Sequence, residues 1–501
     1  MAQEITLTID GQQVSVPEGS TILAAANKLG IRIPTLCHRQ GLEPFSACFI
    51  CVVDVEGRVN PVPSCSTPVA AGMVVHTFSP RIQATRKMCL ELLLSDHYGD
   101  CVAPCTLTCP AGCNVQQFIE DLAAERIADS IRVLKETLPI PGALGRICPR
   151  PCEAQCRRVR VEEPLAIGWL HRYVADADAA TGSIYRPPVG AASGKRVAII
   201  GAGPAGMAAA FFLRQKGHAV EVFEAQQEPG GMLRWGIPAY RLPREALRAE
   251  LEAIIEMGVK MHYGQVLGRD FHLADLRRQG FNAIFIAVGA PRSVALRMEG
   301  ADLPAVWGGL EFLGRVARGE SCAPGRRVVV IGGGNTAIDA ARTARRLGAT
   351  EVTVLYRRTR AEMPALAAEI QEAEREGIAL RLLAAPLAVR PAAAGLVLRC
   401  QQMQLGEPDA SGRRRPLPVP GQEFELEIDT VLVAVGQSID AALLRQEGLE
   451  LDARQTAISV NPHTLQTSLP DLFAGGDVLA RDDQKIAVWA GGPGHLTAIS
   501  I

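Results

Sequence analysis

The sequence predicts a multidomain α/β protein: a small mixed-β head, a helical block, and two similar β–turn–α–β units, one inserted in the other. Three observations predict it. The first residues alternate apolar and polar from Ile5 to Ile9 and then turn at Gly11. Twelve of the 14 cysteines fall between Cys37 and Cys156, at short, regular spacings. Two glycine-rich turns, at 201–206 and 332–337, each follow an apolar strand and open an alanine-rich helix.

At 501 residues the chain is long enough for three or four domains. Its 52 basic and 53 acidic residues nearly cancel, so no global field favours nucleic acid or an anionic membrane. The N-terminus lacks the basic and apolar regions of a signal peptide. The longest apolar run, 197–213, carries three glycines and a proline, too short and broken to span a bilayer. A cytoplasmic chain is expected. In a reducing compartment, clustered cysteines indicate metal rather than disulfides. Cys89, Cys322 and Cys400 stand alone and read as packed thiols.

The head covers 1–88, with a helix opening at Ser20 and strands near 51–55 and 73–78. Residues 89–185 read as helices with cysteine loops; Val115, Phe118, Ile119 and Leu122 mark one apolar face. A Pro/Gly/Ala/Ser stretch at 186–194 reads as a linker. The first dinucleotide-binding domain is expected over 186–305 and 429–501, the second over 306–428.

Cys37, Cys48, Cys51 and Cys65 have the spacing C-x10-C-x2-C-x13-C. Four thiolates suit an iron–sulfur cage, and zinc also takes four cysteines. On a β framework this loop resembles the [2Fe–2S] ferredoxin-like, β-grasp domain that opens the complex I 75-kDa subunit. Cys101, Cys105, Cys109 and Cys113 follow, then Cys148, Cys152 and Cys156. Seven cysteines are one short of two [4Fe–4S] cages. This block resembles the N-terminal domain of the glutamate synthase small subunit, of dihydropyrimidine dehydrogenase and of the large subunit of NADH-dependent ferredoxin–NADP oxidoreductase. That resemblance implies one cluster on Cys101, Cys105, Cys109 and Cys156. It implies another on Cys113, Cys148 and Cys152, with a downstream Gln or Glu as last ligand. Aligning 164–171 with that stretch puts His171 there. The alternative is His97, four residues before Cys101, by resemblance to the three-cysteine, one-histidine cluster of complex I-type proteins.

In the first turn, Gly201 permits the bend, Gly203 lets a pyrophosphate approach and Gly206 lets helix and strand pack. The helix N-terminus then faces the phosphates. Glu224 ends the next strand, where a carboxylate can hold ribose hydroxyls. The segment 230–243, with Gly231, Met232, Arg234, Gly236, Ile237 and Arg241, resembles the flavin-ring loop of the glutamate synthase small subunit. The segment 472–477, with Gly476 and Asp477, resembles the second FAD motif, whose Asp binds the ribityl chain. Gly332, Gly334, Asn335 and Ala337 form the second turn. Its strand ends in Arg357 and Arg358 rather than an acid, and guanidinium forks suit a 2′-phosphate, so NADP(H) is favoured over NAD(H).

The resemblance covers essentially the whole chain, although related chains continue as a helix where this one reaches Ile501. It implies hydride exchange between NADPH and FAD and single-electron exchange with two [4Fe–4S] clusters and one [2Fe–2S] cluster, in either direction. A redox protein or larger complex is the implied partner: a ferredoxin, formate dehydrogenase, hydrogenase or glutamate synthase subunit. The alternative is a non-catalytic subunit that only wires such a complex. A disulfide reductase is disfavoured, because 195–300 and 429–501 contain no cysteine.

Overall fold

A computed structural model of the chain describes residues 3–96, 102–392, 395–409 and 412–479. It divides at 102/103 into two compact units. In the first, β1 (Glu4–Ile9) and β2 (Gln12–Pro17) form the hairpin read from the alternation. The helix α1 (Ile22–Lys28) starts one residue after Thr21, whose hydroxyl caps it by accepting the Ala24 N–H. The strands β3 (Val52–Val55), β4 (Val62–Pro63) and β5 (Val74–His76) complete a five-stranded sheet of order β2-β1-β5-β3-β4. The β1–β5 pair is parallel and the others antiparallel, and α1 covers one face through Ile22, Leu23, Ala25 and Ala26. This is the β-grasp arrangement.

The helix α2 (Pro80–Ser95) begins earlier than the reading placed the helical block. It belongs to the first unit, because Ser79 caps it and Arg86 donates to the carbonyls of Val52 and Thr77.

The second unit opens with α3 (Pro104–Thr108), α4 (Val115–Ala123), α5 (Ile127–Lys135), α6 (Pro141–Ile147), α7 (Pro151–Ala154) and α8 (Ile167–Ala180). Their apolar faces, led by Phe118, Ile131 and Leu134, share one core with the sheet that follows. That sheet is parallel: β6 (Arg196–Ile200), α9 (Pro204–Gln215), β7 (Ala219–Glu224), α10 (Met232–Trp235), α11 (Arg244–Ile255), β8 (Lys260–Tyr263), α12 (Leu273–Arg278) and β9 (Ala283–Ile286). The strand β10 (Arg292–Ser293) leads out to a second domain.

The second domain holds β11 (Val306–Gly308), α13 (Gly309–Ala317), β12 (Arg327–Ile331), α14 (Asn335–Arg346), β13 (Glu351–Tyr356), α15 (Ala367–Arg375) and β14 (Ala379–Leu382). A three-stranded antiparallel sheet follows: β15 (Ala384–Ala392), β16 (Gly395–Pro408) and β17 (Arg414–Ile428). Then come β18 (Thr430–Val433), β19 (Gln437–Ser438), α16 (Ala441–Gln446) and β20 (Leu472–Ala474). The last strand returns to the first parallel sheet, whose order is β20-β9-β6-β7-β8.

One boundary needs correction. The strand at 430–433, assigned from sequence to the first domain, pairs with β12 and β11 in the second parallel sheet. The chain crosses between domains where β10 pairs antiparallel with β19, so the insertion runs from about 292 to about 438. Apolar strands of two parallel sheets look alike, and only pairing separates them.

Candidate functional site

In the first unit, Cys48, Cys51 and Cys65 are buried and Cys37 is half-buried. The loop carries two non-glycine residues in the left-handed region, Ser46 (φ 54°) and Phe49 (φ 53°). Burial opposes ionisation of Cys48, but the Ile50 and Cys37 backbone N–H groups and the Cys37 thiol outweigh it and hold Cys48 below its usual value. Burial pushes Cys51 up, with the Cys65 thiol beside it. Ser46 Oγ lies 3.4 Å from Cys65 Sγ. Four sulfurs in two neighbouring pairs, ringed by N–H donors, suit a [2Fe–2S] cluster.

In the second unit, Cys105 lies on α3 and Cys109 ends it; Cys113 precedes the Asn114 cap of α4. Cys148 ends α6, Cys152 is on α7 and Cys156 ends the loop after α7. Cys109, Cys113, Cys148, Cys152 and His171 wall a common cavity of about 170 Å³. Cys105 faces Cys109 and Cys156. Burial drives the Cys113 thiol upward and pushes Cys152 up to about 12, so a bound cation is what would hold these sulfurs as thiolates. Cys101 and His97 lie outside the described residues.

His171 is 8% exposed, on α8, and its Nε2 has no hydrogen-bond partner among the described residues. Burial lowers it to about 4, so the ring is neutral at pH 7. A buried, orphaned imidazole nitrogen on a residue that lines a cysteine-walled cavity fits a metal ligand. Glu153 beside Cys152 accepts the Gly168 N–H at 2.8 Å and so ties α7 to the start of α8. Among the described residues no three His, Cys, Asp or Glu converge as around a single ion. Four cysteines and His171 instead line one cavity, and a cubane there would take each thiolate on a different iron.

The two dinucleotide turns sit at the C-terminal ends of β6 and β12. A Cβ on Gly206 would strike the Gly201 carbonyl oxygen, and one on Gly332 the Ala434 carbonyl oxygen. Gly231 packs against Gly203. Gly201, Gly203, Glu224, Gly231, Met232, Trp235 and Asp477 line one cavity of about 210 Å³, and Gly476 adjoins it in sequence. Glu224 is buried and pushed upward; its oxygens accept the Ala202 and Gln226 N–H groups at 2.6 and 2.8 Å. These residues fit FAD: backbone and glycines for pyrophosphate, a carboxylate at the strand end.

A cavity of about 670 Å³ is lined by Gly332, Gly333, Gly334, Arg357, Arg358 and Arg413. Between it and the flavin cavity lies a third, of about 530 Å³. The middle cavity shares Gln226, Met232 and Trp235 with the flavin side, and Ser293, Leu296, Leu310 and Val433 with the other. The three therefore adjoin in a row, a trough walled by shared residues.

Not every expected residue faces it. Arg234 is buried against the Pro229 carbonyl and Glu228. Arg241 points to Asp339 and Glu369, in the second domain. Ile237 packs into the core and Gly236 closes the turn onto the Met232 carbonyl. Asn335 accepts the Leu366 N–H at 3.0 Å, bracing the 363–366 segment, and Ala337 is fully buried behind the turn. Arg357 is exposed at the cavity wall, whereas Arg358 is buried and ion-paired with Asp409 at 2.8 Å. Sequence reading does not single out Trp235 or Arg413; the run of three arginines at 413–415 was the available signal for the latter.

Residues 195–495 match the pyridine nucleotide-disulphide oxidoreductase family. Residues 2–80 match the 2Fe-2S iron-sulfur cluster binding domain, and 83–183 the dihydropyrimidine dehydrogenase domain II, 4Fe-4S cluster. The chain is 42% identical over 431 residues to the NADP(+)-dependent formate dehydrogenase subunit beta of Moorella thermoacetica, covering 80% of this chain and 59% of that one. It is 39% identical over 402 residues to the NADPH-Fe(3+) oxidoreductase subunit beta of Geobacter sulfurreducens, covering 75% and 60%. Against the glutamate synthase [NADPH] small chain of Escherichia coli the identity is 34% over 408 residues, covering 77% and 86%. The chain thus spans about three-fifths of the first two relatives. No helix among the described residues is long and apolar enough to cross a membrane. With two dinucleotide turns on one trough and cysteine-lined sites ahead of them, the chain belongs to the pyridine nucleotide-disulphide oxidoreductase family, in its iron–sulfur branch alongside the glutamate synthase small chain.

Proposed function

We propose that the chain is an NADPH-dependent, FAD-containing iron–sulfur oxidoreductase that exchanges electrons with a partner redox protein or a larger enzyme complex. The observation that carries this reading is the trough. It links the second glycine turn, through a middle cavity bounded by Met232, Trp235 and Trp307, to the first turn with Glu224 and Asp477. When bound, FAD would accept a two-electron hydride and release electrons singly to clusters. The chain's own part is to hold the pyrophosphates on glycine turns and to set the two dinucleotides end to end. Met232 and Trp235 wall the meeting point.

The proposed cluster set is one [2Fe–2S] on Cys37, Cys48, Cys51 and Cys65, and two [4Fe–4S]. One uses Cys101, Cys105, Cys109 and Cys156; the other uses Cys113, Cys148, Cys152 and His171. The names of the relatives support a subunit role beside a catalytic partner of the formate dehydrogenase or glutamate synthase type. Arg357 and Arg358 in place of a terminal acid support NADPH over NADH.

The test is viologen reduction by the anaerobically purified chain. NADPH should drive it, with bleaching of the flavin absorbance at the same rate or faster. Flavin and iron at full occupancy with no NADPH-dependent reduction would instead favour a subunit that only conducts electrons.

A further inference from the structure

We propose that Glu250 of α11 takes up a proton when the [4Fe–4S] cluster assigned to Cys113, Cys148, Cys152 and His171 gains an electron, so that the two uptakes are coupled. The proposal rests on that ligand assignment and adds to it a proton acceptor.

Glu250 is 6% exposed and caps α6 from outside. Ile140, at the cap position, offers no side-chain acceptor, and the Gly142 and Ala143 N–H groups donate to the two Glu250 oxygens instead. From Gly142 the helix runs about 9 Å to Cys148, which ends it. The carboxylate also borders a cavity of about 30 Å³, room for one water, whose wall includes Ala175, Asp176 and Asp178 of α8. Ala175 stands one turn after His171 on that helix. Both helices that meet at Glu250 therefore carry a ligand of the same cluster.

The charged groups around Glu250 are mostly committed elsewhere. Lys135 of α5 donates to the Tyr185 carbonyl at 2.6 Å, and Asp178 accepts the Tyr185 N–H at 2.9 Å. Arg146 of α6 pairs with Asp176 at 2.8 Å, and Arg186 pairs with Glu256. Arg214 of α9 is held by the Met257 and His218 carbonyls, and Arg234 of α10 by Glu228. Lys135 and Arg146 act on Glu250 through space but weigh less than its burial, which holds it near 7, where one added charge decides its state. Asp176, whose side chain is 43% exposed, gives the cavity its route to solvent.

In the coupled step one electron from the flavin enters the cluster, and one proton from solvent forms an O–H bond on Glu250; reoxidation releases both. One charge at about 10 Å, at the effective dielectric of a protein, changes the proton affinity on the order of tenfold. By reciprocity the proton changes the electron affinity by the same factor.

The experiment is an EPR-monitored redox titration of the full, anaerobically purified chain from about pH 5.5 to 9.5, following the signal that His171→Ala alters. The cluster's reduction constant should fall on the order of tenfold in total as pH rises, through a window opening near 7, and level off at both ends. Glu250→Gln, neutral at every pH, should hold it level near the wild-type low-pH value. A carboxylate that merely caps α6 leaves the wild-type midpoint independent of pH. That level wild-type midpoint, which needs no variant to read, or an undiminished pH dependence in Glu250→Gln, overturns the proposal while the cluster assignment stands. If His171→Ala alters no [4Fe–4S] signal, the ligand assignment fails and the proposal with it.

Discussion

The Arg241 guanidinium lies 2.6 Å from the Asp339 carboxylate, with the two side chains only 12% and 5% exposed. Arg241 comes from the loop ahead of α11, in the first dinucleotide domain, and Asp339 from α14 in the second. Glu369 of α15 takes its other terminal nitrogen, and the Arg346 guanidinium covers the adjacent Tyr240 ring at 4.0 Å. The loop that resembles a flavin-ring segment is thus also the clamp between domains. Burial pushes Asp339 up to about 7, and Arg241 works against that.

Arg241→Ala would leave two buried carboxylates without their ion-pair partner, with only the Arg342 guanidinium, itself paired to Glu376, still near them. Removing one partner of a buried pair costs about 3–5 kcal/mol. Thermal unfolding of the variant should begin several degrees lower, while FAD per chain is unchanged. Loss of flavin at an unchanged melting temperature would show that Arg241 serves the flavin instead.

Glu250 on α11 accepts the Gly142 and Ala143 N–H groups at 2.6 and 2.7 Å, at the start of α6, which ends in Cys148. Burial raises Glu250 to about 7. A carboxyl raised in the fold ionises first in the unfolded chain, so stability falls as pH rises from the unfolded value through 7, then levels off. The loss is at most on the order of 3 kcal/mol. Glu250→Gln should flatten the melting temperature against pH between about 4.5 and 7. A wild-type profile that rises over that window would contradict the assignment.

His171→Ala should alter one [4Fe–4S] signal in EPR of the reduced chain, because His171 lines the cysteine cavity and its buried Nε2 has no partner among the described residues. A neutral ligand in place of a thiolate also predicts a higher potential for that cluster than for its neighbour. If only His97→Ala changes a [4Fe–4S] signal, the ligand is His97.

Iron analysis of the anaerobic chain should give about ten irons, two from the [2Fe–2S] site and eight from the cubanes. A reproducible value near two, or stoichiometric zinc, would remove both cubanes.

The sequence by itself determined what depends on local chemistry. Glycine turns, cysteine spacing and strand alternation are short-range signals, and β6–α9–β7 and β12–α14–β13 follow from them because each steric demand lies within a few residues. His171 was reachable only through resemblance, but its burial and unpartnered nitrogen are tertiary facts.

What only the tertiary structure decided involves partners distant in the chain. That β18 joins the second sheet depends on ladder pairing with β12, about a hundred residues earlier. Arg234, Arg241 and Arg358 looked alike as cofactor-loop cations, yet each has an acidic partner. For Arg241 and Arg358 that partner is 98 and 51 residues away. A guanidinium in a low-dielectric site goes to the carboxylate the fold brings to it, and sequence spacing does not record which one that is.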